Sequence, residues 1–460
     1  MLSFLIHTLG CKLNQLESEA FNCAFRAAGF IPHDSSGTAS PSLVIINACT
    51  VTSKADQKAR RVIRKALRDY PDSCVLVTGC YARLNHSQKI ELDAGSGGRL
   101  FMLRGKEALL DLPRYINEKE NIYRAVKALC ENSVSINDEP QNDQSRKSVF
   151  QFSPEHFSSH TRSFLKIQDG CDNHCTYCRI RLARGSSVSL DAEQALARLQ
   201  NLEENHAEAV LTGVNISQYH DEKGGVNLGE LLEYLLAGTK KICLRLSSLT
   251  PDIIDENFSK ILSNKRIRPH FHLSIQSGSK TVLEKMGRGY NEKIIEKAAA
   301  LLRSVKDDPF LACDIIAGFP GETEVEFNKT FELCKKIDFA WIHVFPYSKR
   351  PGTPAWSFPG AVQEKEISKR VQTLTNLAKQ GRLDYARRWL GRDVDVLIER
   401  NCGVPHCRGT SDNYLKLNVQ YKGEKAPLPG AVLRCRIPAN QKIEDFNEEY
   451  DVIAEENTEG

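Results

Sequence analysis

No apolar run in this 460-residue chain approaches the roughly 20 residues a helix needs to cross a bilayer, so no membrane-spanning helix and no membrane partner is expected. The opening stretch Met1-Leu-Ser-Phe-Leu-Ile-His-Thr-Leu-Gly-Cys-Lys12 has neither a basic leader nor a small-residue cleavage site, and it reads as a strand rather than an export signal. Strong net charge is also missing. The balance is +4, which permits a nucleic-acid partner without arguing for one, so local patches must decide. Cysteine, in contrast, is plentiful. With no export signal, the 15 cysteines are expected in a reducing cytoplasm, as metal ligands or buried thiols rather than disulfides. A composition of 41% hydrophobic and 26% charged residues is that of a globular protein, and the length implies two or three domains.

Residues 1–125 repeat one pattern three times: a short apolar run, then a turn carrying a cysteine. The runs are Ser3–Leu9 before Cys11, Leu43–Ala48 before Cys49 and Val75–Gly79 before Cys80. The first two lead into helical periodicity, including a helix over Lys54–Arg68. Apolar strands alternating with helices predict a parallel α/β sheet, in which all strands end on one edge. The three cysteines are therefore expected to converge. Residues 126–160, polar over most of their length, read as a linker.

Residues 161–388 contain six strand candidates: Phe164–Gln168, Ala209–Thr212, Ile242–Ser247, His270–Gln276, Leu311–Ala317 and Ala340–Tyr347. Helical stretches separate them, which predicts a partial (β/α)6 barrel of the TIM type with its reactive loops at the C-terminal mouth. Residues 391–455 switch to alternating patterns over Asp393–Glu399, Tyr414–Val419 and Ala431–Ile437, a small β-barrel expected to end in the acidic tail Glu455–Glu459.

The first barrel strand feeds Cys171-Asp-Asn-His-Cys175-Thr-Tyr-Cys178, where a fourth cysteine is lacking. Zinc sites usually join Cys-x2-Cys pairs into four ligands. Tightly clustered thiolates suit an iron–sulfur cluster, whose four irons can be held by three cysteines with one iron left open. A zinc site completed by His174 or a distant cysteine is the alternative, and with it a non-catalytic RNA-binding protein. Cys402-x4-Cys407 beside His406 is a weaker metal pattern, while Cys23, Cys74, Cys130, Cys243, Cys313, Cys334 and Cys435 read as packing.

The triplet with Tyr177 resembles the signature of radical S-adenosylmethionine (SAM) enzymes. The resemblance implies that Cys171, Cys175 and Cys178 hold a catalytic 4Fe-4S cluster whose open iron binds SAM, releasing a 5′-deoxyadenosyl radical on reduction. The segments Leu211-Thr-Gly-Val-Asn-Ile216, Ser274-Ile-Gln-Ser-Gly-Ser279 and Asp314-Ile-Ile-Ala-Gly-Phe-Pro-Gly-Glu-Thr323 resemble SAM-pocket strand ends. They imply Tyr177, Gly213, Asn215, Ser247, Gln276 and Gly318 as cofactor-binding residues. Thr8-Leu-Gly-Cys-Lys-Leu-Asn-Gln15, Asn47-Ala-Cys-Thr-Val-Thr52 and Thr78-Gly-Cys80 resemble the N-terminal domain of methylthiotransferases, a radical-SAM subfamily. That likeness implies a second 4Fe-4S cluster on Cys11, Cys49 and Cys80, facing the same cavity as the first. It also implies two SAM molecules per reaction, an electron donor such as flavodoxin or ferredoxin, and a C-terminal TRAM domain. The sulfur donor is not indicated. After the triplet, Arg184 and Gly185 match the family, while Val188 and Leu190 stand where arginine is common.

Cys11-Lys-Leu-Asn-Gln15 and Cys49-Thr-Val-Thr52 are most similar to the branch acting at C2 of N6-threonylcarbamoyladenosine 37 in tRNA. The branches for N6-isopentenyladenosine 37 or for a ribosomal-protein aspartate are the alternatives. A cationic helix face carrying Arg60, Arg61, Arg64, Lys65 and Arg68 suits phosphates. In the β module Arg400, Lys416 and Arg434, with Arg392, Arg408 and Arg436, are candidate RNA contacts, and Tyr414 is a candidate to stack on a base.

Overall fold

The computed structural model describes residues 2–33, 40–85, 92–93, 96–119, 121–137, 147–152, 161–423, 425–443 and 449–457. The chain forms two compact units, one of Met1–Ser159, Lys166–Asp172 and Cys178–Leu190, the other of His160–Leu165, Asn173–Tyr177 and Asp191–Gly460. Segments 166–172 and 178–190, expected with the barrel, thus group with the N-terminal part.

In the first unit, strands β1 (Ser3–Leu9), β2 (Ile31–Pro32), β3 (Leu43–Ala48), β4 (Cys74–Thr78) and β5 (Leu100–Met102) form a parallel sheet of order β2-β1-β3-β4-β5. Every residue of β3 and β4 is buried, as continuous apolar runs require when both sheet faces are covered. Thr8 pairs with Asn47 and Asn47 with Thr78, so the three strands finish level. The helix Lys12–Ala27 buries Leu16, Phe21 and Phe25, and the edge of one ring meets the face of the other in the Phe21–Phe152 pair, centroids 5.5 Å apart.

Residue 126 does not begin a linker. A helix spans Ile122–Asn137, burying Ala125, Val126 and Leu129, and Phe150 and Phe152 are buried beyond it. The remaining stretches 138–146 and 153–160 lie outside the described residues.

The second unit carries the barrel strands β6 (Ser163–Lys166, whose last residue belongs to the first unit), β9 (Glu208–Thr212), β12 (Cys243–Leu246), β13 (His270–Gln276), β14 (Phe310–Ala317) and β15 (Trp341–Pro346). The short strands β10 (His220–Asp221) and β11 (Val226–Asn227) pair with each other in this unit, and β7 (Gln168–Asp169) pairs with β8 (Val188–Ser189) in the first. The barrel strands form the sheets β12-β9-β6 and β13-β14-β15, joined by the parallel bridges Leu244–Ile267 and Leu249–Leu273. All six expected strands are present. No β6–β15 pairing occurs among the described residues, so the barrel is open there.

A closed five-stranded barrel follows, β16 (Asp393–Asn401), β17 (His406–Ser411), β18 (Lys416–Gln420), β20 (Val452–Glu456) and β19 (Val432–Arg436). Three strands were expected and five are found. Glu455 and Glu456, read as a tail, belong to β20, which closes the barrel against β18 and β19. Among the described residues no helix is long and apolar enough to cross a membrane.

The two barrels of this unit meet at a buried charge cluster. Glu208 accepts from Arg245 at 2.7 and 3.0 Å and from Arg268 at 3.0 Å, and Arg245 also donates to the Asp412 carbonyl at 3.2 Å. Burial opposes ionisation of Glu208, yet Arg245, Arg162 and Arg268 pull its carboxyl from 4.5 down to about 2. A depressed folded-state pKa stabilises above the unfolded value and is lost as pH falls through the folded one, so this contribution fades between about pH 4.5 and pH 2. At about 1.4 kcal/mol per unit it amounts to about 3 kcal/mol. Glu208→Gln is expected to lose about that much at pH 7 and to flatten the acid limb of stability. Urea unfolding across pH checks this, and a variant as stable as the parent would contradict it.

Candidate active site

Because β1, β3 and β4 end level, the turns that follow them bring Cys11, Cys49 and Cys80 to one edge of the sheet. The polar residues of the three motifs tie these turns together. Asn14 donates through Nδ2 to Asn47 Oδ1 at 2.9 Å, and Asn47 Nδ2 donates back to the Asn14 carbonyl at 3.0 Å and to Ser18 Oγ at 3.2 Å. The Cys11 thiol donates to Asn14 Oδ1 at 3.3 Å. Asn85, after the third turn, donates to Thr50 Oγ1 at 3.1 Å, and Thr52 caps the helix Ser53–Asp69 through Ala55 N–H at 3.1 Å.

Glycine is demanded at two of these turns. A Cβ on Gly10 would lie 2.8 Å from that of Cys49, and Gly79, at φ +82°, would place one 2.5 Å from Asn47 Oδ1. Burial pushes the Cys49 thiol up to about 12, aided by the charges of Cys80 and Cys11, so the three sulfurs feel one another. Such a group gains from a cation that replaces its proton.

Directly behind them lies a buried ion network within the same unit. Arg184 binds Glu17 Oε1 at 3.1 Å and both oxygens of Asp169 at 3.0 and 3.1 Å. Lys106 pairs with Glu17 and stands 3.8 Å from Asp169, which also binds Lys166 at 2.5 Å. Burial works against all these charges. Even so, Arg184, Lys166 and Lys106 hold Asp169 well below the usual carboxylate range, and Lys106, Arg184 and Lys166 hold Glu17 below it. Arg184 is raised well above its ordinary value by Asp169, Cys80, Glu17 and Cys11. Three cations share two carboxylates, and burial lowers the pKa of Lys166; we take it as the one held least firmly.

This network brackets the triplet. Asp169 precedes Cys171, and Arg184 follows Cys178. Cys171 N–H donates to the Gly185 carbonyl at 3.1 Å, and a Cβ on Gly170 would fall 1.9 Å from the Ser186 carbonyl oxygen, so the two arms are pressed together. Cys178 Sγ accepts from Ile180 N–H at 3.4 Å. Leu190, where arginine is common in the family, is buried and donates its N–H to the Ile167 carbonyl at 2.9 Å.

In the second unit, Cys175 Sγ accepts from Arg288 Nη1 at 3.3 Å, while Arg288 Nη2 donates to the Ser274 carbonyl at 2.9 Å. Sequence reasoning missed Arg288; its place between Gly287 and Gly289, just past a helix end, was the available signal. Tyr177 packs against Phe319, centroids 6.4 Å apart. Gly213 and Asn215 follow β9, Ser247 follows β12, Gln276 ends β13 and Gly318 follows β14, all at C-terminal strand ends. Gln276 holds φ +66° where the β13–β14 register shifts, a conformation costly for a side chain and common where ligands bind. Gly318, at φ +84°, abuts Ile367 and donates its N–H to Glu322 Oε2 at 2.7 Å.

The RNA candidates divide. Arg61, Arg64, Lys65 and Arg68 are exposed on the helix Ser53–Asp69, and with Arg60 and Gln57 they line a shallow groove. Arg400 and Lys416 are exposed too. Arg434 and Arg436 are paired with Asp395 at 2.8 Å and Asp393 at 3.2 Å, and Arg408 and Arg392 with Glu449 and Asp307. Tyr414, expected to stack on a base, instead packs against His270 with the rings tilted by 34° and their centroids 3.9 Å apart, and Arg245 lies 5.1 Å from its ring centroid. Its φ of +72° turns it inward. Cys407 is buried among the core residues of the small barrel, and Cys402 is exposed.

The Radical SAM superfamily model matches residues 165–334, and that of an uncharacterized protein family, UPF0004, matches residues 3–95. The structure is similar to the radical SAM methyltransferase TsrM of Kitasatospora setae, with TM-score 0.53 and 16% identity over 77% of this chain and 74% of that one. The threonylcarbamoyladenosine tRNA methylthiotransferase MtaB of Treponema pallidum is 37% identical over 95% of this chain and 98% of its own. Its Bacillus subtilis namesake is 34% identical over 95% and 94%. Fold and matched segments define a radical SAM enzyme. Within that superfamily the chain belongs to the methylthiotransferase family, and it is a transferase.

Membership implies SAM and a 4Fe-4S cluster. The thiols present fit such a group, since Cys175 and Cys178 each accept a hydrogen bond of the kind that steadies a ligating thiolate. Among the described residues no three His, Cys, Asp or Glu side chains are close enough to grip a single metal ion. A cluster spreads its cysteines over different irons and needs wider spacing. Asp169→Ala leaves the buried Lys166 without its carboxylate and Arg184 with Glu17 alone, and is expected to cost about 3–5 kcal/mol in denaturant unfolding. A loss below about 1 kcal/mol, the range of an exposed pair, would contradict the bracket.

Proposed function

We propose that the chain inserts a methylthio group at C2 of N6-threonylcarbamoyladenosine at position 37 of tRNA, in the cytoplasm, using two SAM molecules and two 4Fe-4S clusters. The observation that carries this reading is the convergence of Cys11, Cys49 and Cys80 at one sheet edge, a second thiol trio in addition to the triplet. The relatives' names, which specify threonylcarbamoyladenosine and tRNA, support the substrate.

Cys171, Cys175 and Cys178 would hold the cluster that engages SAM, and Cys11, Cys49 and Cys80 the second. When bound, these groups supply the one-electron chemistry and the sulfur that no side chain provides. Tyr177, Gly213, Asn215, Ser247, Gln276 and Gly318 would seat SAM at the barrel mouth, where glycines and the turned backbone of Gln276 allow close approach. Arg288 holds Cys175, and Arg184 sets the arms of the loop. Arg60, Arg61, Arg64 and Arg68, with Arg400 and Lys416, would meet tRNA phosphates. Arg434 and Tyr414, being engaged within the protein, are weaker contributors. Flavodoxin or ferredoxin is the class of electron donor required.

Alanine at Cys171, Cys175 or Cys178 is expected to abolish SAM cleavage. Alanine at Cys11, Cys49 or Cys80 should retain cleavage and stop methylthiolation. Release of 5′-deoxyadenosine and mass spectrometry of tRNA nucleosides read the two outcomes. Intact product from the N-terminal variants would remove the second cluster, and loss of the methylthio group from isopentenyladenosine in a deletion strain would move the substrate to that branch.

A further inference from the structure

Tyr414 is turned inward, yet the second unit shows aromatic faces to solvent elsewhere. Among the described residues three large aromatic side chains are exposed, Tyr234, Phe345 and Trp356, and the last two, at 41% and 44%, belong to one stretch of chain. That stretch, 339–363, contains no Asp or Glu, and the next carboxylate, Glu364, opens the following helix. Within it the Lys349 ammonium stands 4.9 Å from the centroid of the Trp356 ring, and both side chains are exposed. A single exposed ring needs no explanation. A ring paired with a cation, in a segment free of carboxylates, is the composition of a surface for single-stranded nucleic acid.

The position of this surface is fixed, and it adjoins the reactive loop. Trp356 lies on the short helical turn Pro354–Ser357, where Ala355 N–H donates to the carbonyl of Thr176, the residue after Cys175, at 2.8 Å. The Tyr347 hydroxyl donates to the Ala355 carbonyl at 3.0 Å. The rings of Tyr347 and Phe358 pack on Phe319 with centroids 5.4 and 6.2 Å away. These two aromatics thus anchor the turn from within, and the Trp356 ring between them in sequence is left facing out. Phe345 lies near the end of β15, which pairs only with β14 among the described residues.

An enzyme that acts on one base of an RNA loop must take it out of the stack, and the bases beside it then lose a stacking partner. A rigid aromatic face replaces that partner whatever the base, while a neighbouring cation meets the phosphate. An acidic electron-carrier protein would also be drawn to Lys349, but an exposed indole with a cation on its ring is the better match to a base.

We propose that Trp356, with Lys349 over its ring and Phe345 at the strand end, is a stacking platform for an unpaired base next to the target adenosine in an RNA loop. That the loop is the anticodon loop of tRNA rests on the methylthiotransferase reading; the preference for a single-stranded base rests on the exposed rings and the cation.

Binding of a fluorescein-labelled anticodon stem-loop to the full-length, cluster-loaded enzyme, followed by anisotropy, tests the platform. Trp356→Ala should raise Kd about tenfold, and Trp356→Phe should keep it within about threefold of the parent, because a smaller ring still stacks. Lys349→Gln should weaken binding and lower the salt dependence by about one phosphate contact. It leaves the ring in place, so it decides the matter even where Trp356→Ala does not fold. Release of 5′-deoxyadenosine with dithionite and no RNA should be unchanged in all three. Parent-level affinity in both Trp356→Ala and Lys349→Gln overturns the platform, and so does a Trp356→Phe variant as weak as Trp356→Ala. Intact RNA binding with slower reduction by flavodoxin, but not by dithionite, would make the surface a dock for an acidic carrier and also overturns it. Affinity lost as expected, while the parent makes no methylthiolated product, would uphold the platform and refute the activity reading instead.

Discussion

The buried contact between Arg184 and the carboxylates of Asp169 and Glu17 is the constraint on which the first unit depends. Asp169 lies at the end of the strand entering the cysteine triplet, Arg184 on the helix leaving it, and Glu17 on the helix that follows Cys11. One guanidinium thus fixes three pieces of chain far apart in sequence. Its fork matches two carboxylates at once, which a lysine could not do. The cost of burying five charged groups is offset only because each is paired, so loss of any partner exposes the others to the full desolvation penalty.

The second unit has its own charged joint at the opposite chemical extreme from a catalytic mouth. Glu208, Arg245 and Arg268 lie where the partial barrel meets the small five-stranded barrel, and Tyr414 closes the joint with its ring on His270. Gly213, Ser247, Gln276 and Gly318, proposed to seat SAM, lie at the C-terminal ends of the strands, so the charged joint and the proposed ligand contacts are separated along the barrel axis. This is the usual division of labour in such barrels.

Much of this was legible in the sequence because it was periodic. Leu43–Ala48 and His270–Gln276 are apolar or alternating runs bounded by turns, and the structure places strands with those limits. His406–Ser411 and Val452–Glu456 were not recognised. Val452–Glu456 buries only the alternate residues Val452 and Ala454, and its polar outer face read as a tail, while His406–Ser411 buries Cys407 with the small or polar Gly409, Thr410 and Ser411, which carry no apolar signal. The helix Ile122–Asn137 was not recognised, because the polar stretch that follows it made residues 126–160 read as a linker. Charge gave the poorest guidance. Lys106, Lys166 and Glu17 look like surface residues, and their burial follows from partners distant in sequence that no local pattern marks. Tyr414 was misjudged for the same reason, since an aromatic among arginines suggests a base-stacking platform until the turn that tucks it inward is known. The cysteine trio at the sheet edge was legible because level strand ends follow from the parallel pattern.

The central claim is that the chain carries two separate three-cysteine sites, each able to hold a 4Fe-4S cluster. Iron and acid-labile sulfide, quantified in anaerobically reconstituted protein, test it most directly. The account predicts about eight irons per chain in the parent and about four when Cys11, Cys49 and Cys80 are all replaced by alanine. A parent holding only about four, or a triple variant that keeps all its iron, would contradict it.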